Sequence, residues 1–394
     1  MKYNFDEIIE RRGTNSVKWD GVKNIWGRDD LLPMWVADMD FRTPPFVMDA
    51  LRKRLEHEVL GYTFACEEWY NSICTWLHDR HQWDISREML TFVPGIVRGQ
   101  AFALQCFTNP EDKVMVMTPV YHPFFLVTER MGREVVYSPL ELQDGQYHIN
   151  FERFRKDLQG CKVLILCNPH NPAGRVWTRE ELRRVGDICL RNHVMIISDE
   201  IHCELVFPGH TYTPFASLGD SYLRNTITCV SPSKSFNLAG LQIANIIACD
   251  KTIRERIDRA ININEVCDVN PFGVEATIAA YNEGEEWLMR LLDYLKANYE
   301  DMNEFFRKYL PRIPVTKLEG TYLVWTDCRA LSTLSETLGS RLLTETGLWL
   351  NSGTMYGAEG EGFLRWNIAC PRSVLRDALN RFRRFVENQA QFHD

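Results

Sequence analysis

Between residues 89 and 248 the chain repeats one pattern, a short run of consecutive apolar residues followed by a longer stretch with helical spacing. The runs fall at 90–93, 113–117, 134–137, 163–167, 194–198, 227–230 and 244–248. They do not alternate apolar with polar. Runs that are apolar throughout and separated by helices predict strands covered on both faces, hence an α/β doubly wound core with a mostly parallel seven-stranded sheet. Helical periodicity is also expected at 46–59, in a second stretch ending at His81, and at 96–107. From about 285 the pattern changes to a long amphipathic helix over 287–309, a segment at 319–325, a helix at 335–346, a β-like run at 362–368 and a closing helix from 373. This predicts three parts: an aromatic-rich N-terminal arm over 1–45, a large domain over 46–285 and a smaller α+β domain over 286–394.

Composition narrows the function. The 394 residues carry 45 basic and 53 acidic side chains, a net charge of −8 without a basic block, so a small molecule is the expected partner rather than nucleic acid or a membrane. No apolar run is long enough to span a bilayer, and the first residues lack the apolar stretch of a signal peptide, which predicts a cytoplasmic protein. The twelve cysteines occur singly, several inside apolar runs, as reduced core thiols would. His78 and His81 share a helix with no ligand partner nearby in sequence, and are read as surface histidines with no metal site expected.

Polar clusters follow four of the apolar runs, at the strand ends where α/β sheets bind ligands. Gly95 opens a helix whose N–H groups at Ile96 and Val97 can hold an anion, although glycine there also simply makes a turn. Asn171 lies in a loop with two Asn-Pro steps, suited to aiming an amide but equally at home in a plain loop. Asp199, Glu200 and His202 end another run. A buried acid there needs a cation, either a metal or a protonated heterocycle, and a helix-capping aspartate is an equally good reading. Lys234 follows the next run, flanked by Ser231 and Ser233. Taken together, an amine, hydroxyls for phosphate, an acid for a ring nitrogen and an amide for a phenolic oxygen make up a pyridoxal phosphate site.

These motifs, with Pro33–Phe41, Gly61-Tyr62-Thr63, Pro119-Val120-Tyr121-His122-Pro123-Phe124 and Arg365-Trp366-Asn367-Ile368, resemble fold-type-I pyridoxal-phosphate enzymes of the aspartate aminotransferase superfamily. Within it the chain is most similar to the MalY/PatB family of cystathionine β-lyases and C–S lyases. The resemblance implies pyridoxal 5'-phosphate joined to Lys234, with Asp199 on the pyridine N–H, Asn171 and His202 at the phenolic oxygen, and Tyr121 stacked on the ring. It implies that Ile96, Val97, Ser231 and Ser233 hold the phosphate. Arg365, with Ala37 and Asn171, would bind an amino-acid substrate, and Tyr62 would reach the partner's phosphate in a homodimer. Many relatives carry a basic residue at the eighth position after the lysine, and here it is Gln242. The implied activity is C–S β-elimination, with transamination and an additional regulatory binding role as alternatives. A metal hydrolase built on Asp199, Glu200 and His202 is the least favoured reading.

Overall fold

The structure is a computed structural model describing residues 3–266, 268–331 and 334–390. Its centre is a seven-stranded sheet made of β1 (Leu90–Val93), β2 (Lys113–Val116), β3 (Glu134–Tyr137), β4 (Cys161–Cys167), β5 (Met195–Asp199), β6 (Thr226–Val230) and β7 (Ala244–Ile247), in the order β1-β7-β6-β5-β4-β2-β3. Side chains of β4 alternate between the two faces of the sheet. Val163, Ile165 and Cys167 join one apolar cluster, while Leu164 and Leu166 join the other. Both faces are covered, so a continuous apolar run was the right signature for the strand.

The register fixes where polar side chains emerge. Cys167 of β4 pairs with Asp199 of β5, and Asp199 pairs with Cys229 of β6, so three parallel strands end in line. Strand β7 runs antiparallel to β6 and β1, with Ala244 opposite Val93. Its N-terminal end, preceded by Gln242 and Ile243, therefore lies at the same edge as the C-terminal ends of the parallel strands.

Two helices flank this core in ways the apolar pattern does not reveal. Helix α1 (Glu67–His81) exposes His78, but His81 faces inward. The expectation of two surface histidines is corrected for His81, because the chain brings Glu204 against it from more than a hundred residues away. Glu204 accepts from His81 Nε2, Arg80 Nε and Trp76 Nε1, each at 2.8 Å. Cys203 stands beside them, within reach of a shared cation, yet the Arg80 guanidinium already neutralises the carboxylate. The cluster is a buried ion pair. Helix α2 (Ile96–Phe107) begins after Gly95, whose φ of 127° is open to glycine and strained for other residues.

Helix α3 (Pro271–Glu283) packs on α1 and on the helix over Pro45–Leu55, and the C-terminal part follows with helix α4 (Glu285–Tyr309) and a three-stranded antiparallel sheet of β8 (Leu323–Asp327), β9 (Asn351–Ser352) and β10 (Phe363–Asn367). Just before β8, residues 319–321 bond the loop at 205–207: Thr321 N–H donates to Leu205 O, and Phe207 N–H to Glu319 O. Helix α5 (Arg372–Ala390) closes the chain. The arm joins this part through a parallel pairing of Leu32–Pro33 with Leu348–Trp349. The eleven described cysteines are all free, and no helix among the described residues is long and apolar enough to cross a membrane.

Candidate active site

The strand ends, the start of α2 and the arm enclose a cavity of about 170 Å³ lined by Ala37, Gly95, Ile96, Val97, Tyr121, Asn171, Asp199, His202, Ser233, Lys234 and Gln242. Residues scattered over two hundred positions thus meet because the register aligns the ends of β4, β5 and β6. Asp199 lies at the bottom. Its Oδ1 accepts from Ile201 N–H at 3.1 Å and its Oδ2 from Gln100 Nε2 at 2.7 Å. Burial raises the Asp199 carboxyl to about 7 despite these two donors, so this acid is poised to gain from a cation.

Glu200, its neighbour, turns the other way. It accepts from Ser198 Oγ, the Tyr212 hydroxyl and Phe215 N–H, and burial raises its pKa. Asp199, Glu200 and His202 therefore do not converge, and the only three-ligand group among the described residues is the His81 cluster.

Lys234 leads out of β6 on the turn that starts at Ser231. Its Nζ donates to Ala37 O at 2.6 Å, and burial lowers the amine to about 8 even though Asp38 and Asp199 favour its charge. His202 is buried with Nδ1 unpartnered, and burial, Lys234 and Arg365 hold its imidazole neutral, near 3. Tyr121 stands between Phe124 and His122, its hydroxyl raised by burial.

Arg365 projects from β10. Nη1 donates to Asn171 Oδ1 at 3.2 Å, Nη2 to Trp35 O at 2.5 Å, and the guanidinium lies over the Tyr356 ring. Its Nε is buried without a partner. Since Asn171 Oδ1 is occupied, the amide N–H₂ of Asn171 is the end left to meet an acceptor.

The two serines expected to hold phosphate are placed differently. Ser233 lines the cavity, while Ser231 Oγ sits beneath, donating to Ile243 O at 2.6 Å and lying 2.7 Å from Ser233 Oγ. Gln242, the departure from the common basic residue, has φ 51° and accepts from Arg98 Nη1 at 2.9 Å through Oε1. That bond directs the Gln242 N–H₂ away from Arg98. Tyr62 is 97% exposed and does not line the cavity.

Three contributors escaped sequence reading. Gln100 is a polar residue on the buried face of α2 beside Gly99, Ala103 and Leu104, and that break in an apolar face was a usable signal. Arg98 and Tyr322 carried no such mark.

The arm roofs the cavity. Buried Lys18 pairs with Asp40 at 2.5 Å, and Arg11 binds both Asp38 and Asp40. Asn367 Nδ2 donates to Val36 O and Asp38 O, which clamps the peptide groups on either side of Ala37.

The donor set fits pyridoxal phosphate: an amine and a buried acid in one lining, helix N–H groups at Ile96 and Val97, and two orphaned buried nitrogens, His202 Nδ1 and Arg365 Nε.

Residues 30–382 match the model of the aminotransferase class I and II family. Cystathionine beta-lyase PatB of Bacillus subtilis is 42% identical over 96% of this chain and 99% of its own length. Protein MalY of Escherichia coli is 32% identical over 96% and 97%. The crystal structure of cystalysin from Treponema denticola, which contains pyridoxal 5'-phosphate, superposes with a TM-score of 0.96 at 35% identity, covering 98% of this chain and all of that one. Matched from the arm to the last helix, with its lysine, acid and arginine gathered at one sheet edge, the chain belongs to the aminotransferase class I and II family.

Proposed function

We propose that the protein is a pyridoxal-phosphate-dependent C–S β-lyase that splits L-cystathionine or a related cysteine thioether into pyruvate, ammonia and a thiol. The observation that carries this reading is the meeting of Lys234 and Asp199 in the lining of one cavity, with buried Arg365 bonded to Asn171 of the same lining. It is supported by the likeness to PatB and cystalysin.

When bound, pyridoxal phosphate supplies an aldehyde and a ring that accepts the electron pair left at the substrate Cα. Asp199 keeps the ring nitrogen protonated, an arrangement that relieves the carboxylate of an unpaired burial. Arg365 takes the substrate α-carboxylate on Nε and an Nη, two donors in one plane, as a guanidinium is built to do. Asn171 N–H₂ and His202 would meet the phenolic oxygen, and Tyr121 would stack on the ring. Ile96 and Val97 N–H, Ser233 over Ser231, and the Gln242 amide oriented by Arg98 receive the phosphate.

Lys234, with its amine lowered to about 8, is partly neutral near pH 7 and takes the Cα proton. Overall, the Cα–H and Cβ–S bonds break and one water is consumed. The sulfur leaves as thiol, and the carbon skeleton leaves as pyruvate and ammonia.

The protein would act in the cytosol as a homodimer. Val59, Leu60, Tyr62 and Phe64 are 65, 60, 97 and 81% exposed, an apolar strip suited to burial against a second copy, where Tyr62 would meet the partner's phosphate. The partition at about residues 45 and 285 belongs to the same reading. Incubation of the cofactor-loaded protein with L-cystathionine tests the activity. Pyruvate and free thiol formed without an added keto acid support it, whereas turnover that requires a keto acid makes the protein a transaminase.

A further inference from the structure

Ala37 O accepts two hydrogen bonds, one from Lys234 Nζ at 2.6 Å and one from the Tyr322 hydroxyl at 3.0 Å. A carbonyl has two lone pairs, and here both are used. The peptide cannot turn to find other donors, because the Asn367 side chain holds Val36 O and Asp38 O on either side, and Arg365 holds Trp35 O. Lys234, however, is a part-time donor. Its nitrogen must leave Ala37 O to form the C=N bond with the cofactor aldehyde, which expels water, and returns when an amino acid substrate takes over that bond.

We propose that Tyr322 is a positioning residue that keeps the Ala37 carbonyl hydrogen-bonded in both positions of Lys234, so that the lysine exchanges between carbonyl and cofactor without leaving a bare acceptor behind. Tyr322 is suited to this. Its side chain is fully buried, it follows Gly320 and Thr321 in the segment bonded to the 205–207 loop, and its ring meets that of His202 edge-on. Burial raises its pKa, so it remains a donor at any working pH. A second donor also takes up part of the carbonyl's negative potential, which loosens its grip on the ammonium.

The inference rests on the cofactor reading above, and its consequence has a sign that a merely structural role lacks. In Tyr322→Phe the carbonyl has Lys234 as its donor or none. The lysine is then drawn to Ala37, against the cofactor but in favour of any amino acid that displaces it. Cofactor affinity falls, roughly 5- to 100-fold for one buried acceptor left unpaired. Over the same variant, an amino acid with a methyl group in place of its Cα hydrogen, which can exchange but not react, gains apparent affinity.

The experiment measures both constants by absorbance on the loaded protein. It also measures, on the cofactor-free protein, the pH midpoint for acylation of Lys234 by acetic anhydride, followed by peptide mass. Weaker cofactor, tighter amino acid and an acylation midpoint above that of the parent support the proposal. An unchanged cofactor constant, or loss of both affinities together, overturns it. Incorporation of 3,5-difluorotyrosine at position 322 keeps the shape and strengthens the donor, and should move the acylation midpoint down; an upward or absent shift overturns the proposal. The acylation arm needs no cofactor, so a parent protein that fails to bind pyridoxal phosphate would sink the functional reading while leaving this inference separately testable.

Discussion

Replacing Asp199 by Asn separates what the carboxylate costs the cofactor-free protein from what it contributes to the loaded one. The substitution is isosteric, and Gln100 can turn its amide to accept from the new N–H₂, so packing and hydrogen bonding survive. In the parent, burial lifts the Asp199 carboxyl from 3.8 to about 7. A carboxyl raised on folding binds its proton more tightly in the folded chain, so stability declines as pH rises from the unfolded value to the folded one. A shift of this size costs about 4 kcal/mol at pH 8 and about 2 kcal/mol at pH 5. The variant has no charge to bury. Cofactor-free, it should be more stable than the parent by those amounts, in urea unfolding at the two pH values. Both proteins carry the same histidines, whose titration cancels in the difference. Cofactor binding favours the parent instead: exchanging a charge-assisted bond to the ring nitrogen for a neutral one lowers cofactor affinity by roughly 10- to 150-fold, read by quenching of tryptophan fluorescence. A cofactor-free variant no more stable than the parent, or a gap that does not widen between pH 5 and pH 8, would refute the reasoning.

Arg365→Ala should raise KM for amino acids by roughly 10- to 150-fold with a much smaller effect on kcat, because a carboxylate contact made equally before and during reaction is uniform binding; steady-state kinetics with equal losses in kcat and kcat/KM, and KM unchanged, would assign Arg365 to the reaction step. Glu204→Gln leaves Arg80 and His81 facing a neutral amide. The Glu204 carboxyl is held down at about 2 by His81 and Arg80, against burial, so its charge stabilises the fold above pH 4.5 and that contribution is lost as pH falls toward 2. The variant should unfold about 3 kcal/mol more easily at pH 7, with the gap closing under acid; an equal gap at pH 3 and pH 7 would contradict this.

Much of the sheet was legible because both of its faces are buried. Strands such as Cys161–Cys167 and Thr226–Val230 stand out as apolar runs, and the polar residues after them fall where parallel strands end. Helix α3 was not identified, since Val274, Ala276, Thr277, Ala279 and Ala280 are buried together and leave no clean polar face to mark a period. The hairpin joining Glu141–Gln143 to Gln146–His148 was also passed over, although Asp144-Gly145, with φ of 50° and 74°, is a strong turn signal. At the site, residues adjacent to the motifs were readable. Those that depend on register or on distant segments were not. The Arg98–Gln242 bond crosses from α2 to the turn before β7, and the Lys234–Ala37–Tyr322 arrangement joins three parts of the chain. His81 was misread for the same reason, since nothing near it in sequence announces Glu204.

The central claim is that one amine, Lys234, carries the cofactor. Load the protein with pyridoxal phosphate, reduce with borohydride, digest, and map the adduct by mass. The expected result is a visible absorbance band that disappears on reduction and a single modified peptide containing Lys234, with neither feature in Lys234→Ala. An adduct on another lysine, or a variant that keeps both the band and the lyase activity, would contradict it.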